Sequence, residues 1–397
     1  MWSLPLLAAL GIAGSAIFAY SSGVFMVAMI AEFGWTRAQF SAAFAVQTVV
    51  GLIVLPLVGR LIDRVGPRRV GLVGILISAA ALSSLGLANG AVKQWWALGG
   101  VQAIGSAFVA SPLWLSAIVP RFRVSRGLAF AVSLAGIGVA TAVWPVLAAF
   151  GIRSLGWRET FQVLAIGWAV IILPFAWFCL VDPPKIPGSS TTAAVTMSRG
   201  QYWSALRSRT FLCVTLAGGI FASVCYGLIL HLVPMLHERG LGLPAAAGLA
   251  SIMGLFVIFG RLTTGFLLDR LPTRPLGVAI FLLPIAVCLL LWLGAGSWLA
   301  AVAAVAMLGL ATGSETDVIV FMIARRFGRD VFASVFAVVS AVFALFAATG
   351  PLLAGALYDV YKSYDRYLMI AIPLALLATA LIALVPPASV INGDDRS

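Results

Sequence analysis

The sequence predicts an all-α membrane protein: twelve transmembrane helices in two pseudo-symmetric six-helix bundles. Three observations carry this. The chain is 62% hydrophobic and 10% charged, with a mean hydropathy of +1.09, which excludes an ordinary soluble domain. Apolar runs long enough to cross a hydrocarbon core of roughly 30 Å recur from end to end. A short charged loop also occurs twice, six runs apart.

Runs of this length are helices, because lipid satisfies no backbone polar group. The first six cover 4–31, 37–60, 70–90, 95–119, 127–150 and 159–181, and their charged residues fall at or near span ends. A polar break follows, "DPPKIPGSSTTAAVTMSRGQYWSALRSRT" (182–210). Its last part sets Tyr202, Trp203 and Leu206 among Arg199, Arg207 and Arg209, a pattern for a short surface helix or for a linker with a basic end. The second six cover 209–236, 244–268, 276–293, 297–323, 330–357 and 366–386. The plan is a bundle over 1–181, a cytoplasmic linker over 182–208, a bundle over 209–386 and a tail over 387–397.

The net charge of +12 is a topology signal. Eighteen of the 25 Lys and Arg fall on one side of the twelve-span map and seven on the other. The positive-inside rule then puts both termini and the linker in the cytoplasm, and nucleic acid is not expected as a partner. Scarce lysine and very short loops favour a bacterial inner membrane. The first span has no basic region before it and no cleavage signal after it, so it is expected to be retained. Cys179, Cys213, Cys225 and Cys288 all sit inside spans, so neither disulfides nor a metal site nor any other cofactor is expected. Two isolated histidines without a nucleophile–base cluster argue against an enzyme. The polar break is too short for a signalling domain.

The repeated loop reads "GRLIDRVGPRR" (59–69) after the second span and "GFLLDRLPTR" (265–274) after the eighth. Aligning Gly59 with Gly265 matches Asp63 to Asp269 and Arg64 to Arg270, which implies two related bundles with a substrate path between them. The loop resembles the G-x-L-x-D-R-x-G signature of the major facilitator superfamily. The second copy departs from it, with Pro272 where the first has Gly66. "SGVFMVAMIAEFGWTRAQFSAA" (22–43) and "RGLAFAVSLAGIG" (126–138) resemble the monocarboxylate and oxalate/formate porters. The four loop residues Asp63, Arg64, Asp269 and Arg270 are expected to act as gates, with Asp63 near the start of the eleventh span (about Asp330) and Asp269 near the start of the fifth (about Gly127).

Three charges lie deep in the second half: Arg261 in the eighth span, and Glu315 and Asp317 in the tenth. Counted from the span ends, each lies roughly 12–15 Å inside. Intramembrane charges usually mark a pathway, and the alternative is a buried salt bridge joining two helices. Residues two apart on a helix are rotated by about 200°, so Glu315 and Asp317 face nearly opposite ways. One is expected to neutralise Arg261, and the other to find different company or carry a proton.

The resemblance implies that Arg261 binds the carboxylate of the substrate, a task that suits the planar guanidinium fork. The animal porters also carry an acid four residues earlier, where this chain has Val257, so Glu315 or Asp317 would have to replace it. Tyr20, Gln47, Gln102, Ser111, Trp114 and Tyr226 are candidates to line the cavity, with helix packing as the alternative for each. His231 is a further candidate for proton coupling, with a satisfied interhelical partner as its alternative. The fourth-span arginine of proton-coupled drug antiporters is absent from "LGGVQAIGSAF" (98–108). The expected function is proton-coupled symport of a small mono- or dicarboxylate by a monomeric transport unit. Efflux of amphiphiles and carboxylate exchange are the alternatives.

Overall fold

Twelve helical spans cross the molecule in the computed structural model, which describes residues 2–118, 121–122, 126–180, 182, 199–294 and 296–386. Spans 1 to 12 run Ser3–Phe33, Arg37–Val65, Pro67–Leu87, Val92–Ile118, Leu128–Leu155, Trp157–Cys179, Arg209–Glu238, Leu243–Leu268, Thr273–Leu293, Trp298–Phe327, Val335–Tyr361 and Asp365–Ala383. Each expected apolar run meets one span. The turns at 34–36, 239–242 and 362–364 share one end, the far end, and the linker and the last described residues share the other, the near end. Large apolar side chains stand outward, among them Phe178 at 79% and Phe150 at 72% exposure. Such a surface suits lipid rather than water. Of the expected linker, Asp182 and 199–208 are described, with a short helix Arg199–Leu206, and the 387–397 tail lies outside the described residues.

Spans 1, 4 and 5 are not the continuous helices that their apolar runs suggest. Span 1 breaks at Ala16, where the amide turns to the Ala13 carbonyl at 3.2 Å. Span 4 breaks over 108–110. Pro112 has no N–H to give the Phe108 carbonyl, and the Trp114 indole takes the Val109 carbonyl at 2.8 Å. Span 5 breaks at Ala135, where Gly136 lies against the backbone of Ala9 in span 1. Indoles stitch the kinked span 1 in place. Trp144 donates to the Ala13 carbonyl at 2.7 Å and Trp168 to the Leu10 carbonyl at 3.1 Å, while the rings of Trp114 and Trp168 fill the space beside Gly11 and Gly14.

In the second bundle, helical hydrogen bonding runs without a break from Trp298 to Tyr361, through spans 10 and 11. The chain nevertheless doubles back. Ile319 and Phe343 both lie beside Gly218, although 24 residues of straight helix would hold them about 36 Å apart.

The repeated loop differs between its copies for a backbone reason. Gly66 ends span 2 at φ +98°, a conformation that L side chains rarely adopt, and the chain enters span 3 at once. In the second copy a turn over 269–271 precedes Pro272, whose φ of −58° is ordinary for proline, so the left-handed residue is not needed.

Candidate functional site

Spans 8 and 10 approach closely because small residues line their contact. Gly309 lies against the Met253 carbonyl and Gly260 against Leu310, and the Ser314 hydroxyl donates to the Gly260 carbonyl at 3.2 Å. This register sets Arg261 beside Asp317, with 3.7 Å between the guanidinium Nε and the carboxylate. That is an ion pair but not a hydrogen bond. Arg261 Nε is shielded from solvent and has no hydrogen-bond partner, and the two side chains remain 20% and 31% exposed. The pair is loose, and a donor of the fork stands free.

Glu315 points elsewhere, as the helical rotation requires. It is 6% exposed, its Oε1 has no hydrogen-bond partner, and its electrostatic neighbours are Cys225 and Tyr226 of span 7. Tyr226 also interacts with Tyr20 of span 1 and lies 6.1 Å, ring to ring, from Phe44 of span 2. Tyr20 lies beside Thr141 of span 5 and within electrostatic reach of Arg261. Arg261, Asp317, Tyr20, Tyr226 and Glu315 therefore form a connected constellation where the two bundles meet. Thr141 is absent from the sequence reading because a hydroxyl inside an apolar run gives no signal of its own.

The remaining candidates are dispersed. A cavity of about 590 Å³ lies between the bundles in the near half, bounded by spans 1, 2, 4 and 11. Gln47 lines it, together with Ser15, Thr48, Ser106 and Ser340, and among the described residues no charged side chain does. Arg261 opens instead on a crevice of about 30 Å³ between spans 5 and 8. Trp114 is fully buried against span 1 and stands outside the cavity lining, because its indole fills the space that Gly11 leaves. Ser111 is partly buried and starts the short helix Ser111–Ile118; Gln102 is buried with its Oε1 unpartnered. Asp63, Arg64, Asp269 and Arg270 are exposed at the near end, with Arg270 stacked 3.4 Å above the Phe266 ring. The side chains of 126–127 and 328–334, where their expected partners fall, lie outside the described residues.

The far end is closed by a latch that the sequence reading missed. Thr36 and Gln39 form a reciprocal cap at the start of span 2, a T-x-x-Q pattern visible in the sequence. The Asp359 carboxylate of span 11 accepts from the amides of Arg37 and Ala38 at 2.9 Å each. Gly355 permits this approach, since a Cβ there would meet the Ala38 backbone. The Arg37 guanidinium lies 3.5 Å above the Tyr358 ring and bonds Glu238 and the Tyr364 hydroxyl. Burial pushes the Tyr364 hydroxyl above its ordinary pKa, which keeps its proton in place. His231 joins the latch. Its Nε2–H fits donation to the Pro351 carbonyl at 3.0 Å, with Ser41 at 3.2 Å, leaving Nδ1 to accept from Tyr364 at 2.8 Å.

The family model of the Major Facilitator Superfamily matches residues 8–313 and again 249–395. An uncharacterized MFS-type transporter of Bacillus subtilis (strain 168) is 26% identical over 271 residues, 66% of this chain and 64% of that protein. Monocarboxylate transporter 2 of Rattus norvegicus is 24% identical over 377 residues, 89% of this chain and 76% of that protein. A solved bacterial homolog to the human lysosomal transporter Spinster, inward-facing and unoccupied, superposes with a TM-score of 0.72. It is 16% identical and covers 97% of both chains, a likeness of fold.

Proposed function

The chain belongs to the Major Facilitator Superfamily, a family of membrane transporters rather than enzymes, and from that premise we propose that it moves a small organic carboxylate by alternating access, with a proton in symport. The observation that carries the reading is the loose Arg261–Asp317 pair at the meeting of the bundles, with an unpartnered guanidinium nitrogen. A substrate carboxylate would complete the fork with two parallel hydrogen bonds. Two carboxylates then share one guanidinium, and a proton on Asp317 or Glu315 restores the charge balance in a medium where an uncompensated charge is costly. Tyr20 and Tyr226 are the neutral neighbours that would orient the anion.

The excess of basic residues at the near end supports a cytoplasmic near end in a bacterial inner membrane. The conformation described is then inward-facing: latched at the far end, with its cavity in the half nearer the cytoplasm. Asp63 and Asp269 would engage helix starts only when the near end closes. A second reading, proton-coupled efflux of neutral amphiphiles, is favoured by the uncharged lining of the 590 Å³ cavity.

Counterflow in proteoliposomes separates the two, using mono-, di- and aromatic carboxylates against neutral amphiphiles, with and without a pH gradient. Uptake of a carboxylate that a proton gradient drives is the expected result. Exchange of neutral compounds alone would overturn it. Full pH-driven uptake in both Glu315→Gln and Asp317→Asn would remove the proton from span 10 and make His231 the next residue to test.

A further inference from the structure

A second pocket, of about 220 Å³, lies away from Arg261 at the near end of the second bundle. Thr210 at the start of span 7, Thr273 and Arg274 at the start of span 9, Arg325 and Arg326 at the end of span 10, and Pro386 beyond span 12 line it. Every one of these residues belongs to a terminal turn or lies just past one, so the pocket sits at the depth of lipid headgroups. Spans 9 and 12 pack together and turn Leu282, Leu289, Leu376 and Leu377 outward, so the pocket borders the lipid face.

Three guanidiniums converge here, and no described carboxylate pairs with any of them. The Arg325 guanidinium lies 4.4 Å above the Phe321 ring, which holds it at the pocket edge. The Thr273 hydroxyl is shielded from solvent and has no hydrogen-bond partner, although an orphaned buried hydroxyl is costly. Guanidiniums without a carboxylate partner and an orphan hydroxyl around a small volume suit a compact multivalent anion. Phosphate fits best, because arginine binds its oxygens in a bidentate fork.

We propose that this pocket binds a phosphate-bearing anion, supplied by the headgroup of an anionic phospholipid or by free phosphate. The site stands apart from the transport constellation and does not depend on the substrate proposed above.

Native mass spectrometry of the full chain tests it, after exchange into phosphatidylcholine nanodiscs with a minor share of phosphatidylglycerol. Wild-type protein is expected to retain phosphatidylglycerol. Arg325→Gln and Arg326→Gln should each lower the retained fraction by about fivefold, the effect of losing one hydrogen bond to the headgroup. Thr273→Val keeps the charge and should lower it less. The pair Arg60→Gln and Arg69→Gln removes two exposed charges from the first bundle and should change nothing. Retention that survives millimolar inorganic phosphate assigns the lipid as the source. Phosphate that displaces the lipid, and that binds lipid-free protein but not Arg325→Gln, assigns free phosphate. Equal loss in the Arg60 and Arg69 control, or no loss in any pocket variant, overturns the site.

Discussion

The two bundles share an architecture but divide its difficult features between them. The first kinks spans 1, 4 and 5 and carries no charge at mid-depth; it holds nine of the twelve tryptophans, and Trp114, Trp144 and Trp168 among them pack or bond against the first half of span 1. The second keeps spans 7, 8 and 10 helical throughout and holds Arg261, Asp317 and Glu315. Each arrangement follows from what lies inside. A broken helix frees carbonyls that need donors, and indole N–H groups provide them without a charge. A half-buried guanidinium needs a fixed position, which an unbroken helix clamped through Gly260 and Ser314 gives. Deformability and charge are kept in separate halves.

The largest expected effect removes the charge from the second half. Arg261→Ala should abolish carboxylate binding and lower stability, by less than the roughly 3–5 kcal/mol of a sealed pair because this pair is partly exposed. Arg261→Lys keeps the charge but loses the fork, and should weaken affinity by about tenfold or more. Affinity in detergent, read beside protein monodispersity, checks both. Wild-type affinity in Arg261→Lys and Arg261→Gln would leave Arg261 a structural partner of span 10.

In the first half the corresponding break is steric. Gly14→Val would drive a side chain into the Trp168 indole and should cost about 1–3 kcal/mol in thermal unfolding. Because no charge is involved, substrate affinity in the surviving protein should stay put. A variant that kept its stability but lost affinity would erase the division between the halves.

The latch joins the halves, so its loss should move a population rather than unfold either one. Asp359→Asn weakens two charge-assisted hydrogen bonds to span 2, and a shift of about 1 kcal/mol opens the far end roughly fivefold more often. Labelling of Ser41→Cys by a membrane-impermeant thiol reagent, with and without Asp359→Asn, measures it. Equal rates would show that Asp359 does not hold the far end shut.

The smallest effect tests a single stitch. Trp144→Phe keeps most of the ring and loses the bond to Ala13, which should cost about 0.5–1.5 kcal/mol.

Much of this contrast is legible in the sequence, because charge inside an apolar run is conspicuous. Arg261, Glu315 and Asp317 stand out on that ground alone, and helical rotation separates the two acids. Which acid meets Arg261 is not legible, since it depends on the register that Gly260 and Ser314 set between two helices. The kink in span 4 has a visible cause in Pro112. Those at Ala16 and Ala135 have none, because they depend on what span 1 meets. The latch is least legible of all. Its two halves, Arg37 and Asp359, are 322 residues apart, and each alone is an ordinary charge at a span end.

The stitching of span 1 also gives the molecule an optical asymmetry. With nine of twelve indoles in the first bundle, and Trp114, Trp144 and Trp168 beside the break in span 1, native tryptophan emission reports mainly on that half. Bundles that rock as rigid bodies would leave the emission of Trp114, Trp144 and Trp168 unchanged through the cycle. A span 1 that straightens as the far end opens would shift its wavelength, since the Ala16 amide would leave the Ala13 carbonyl that Trp144 bonds and change the surroundings of that indole. The protein carries its own label for telling a hinge from a flexing helix.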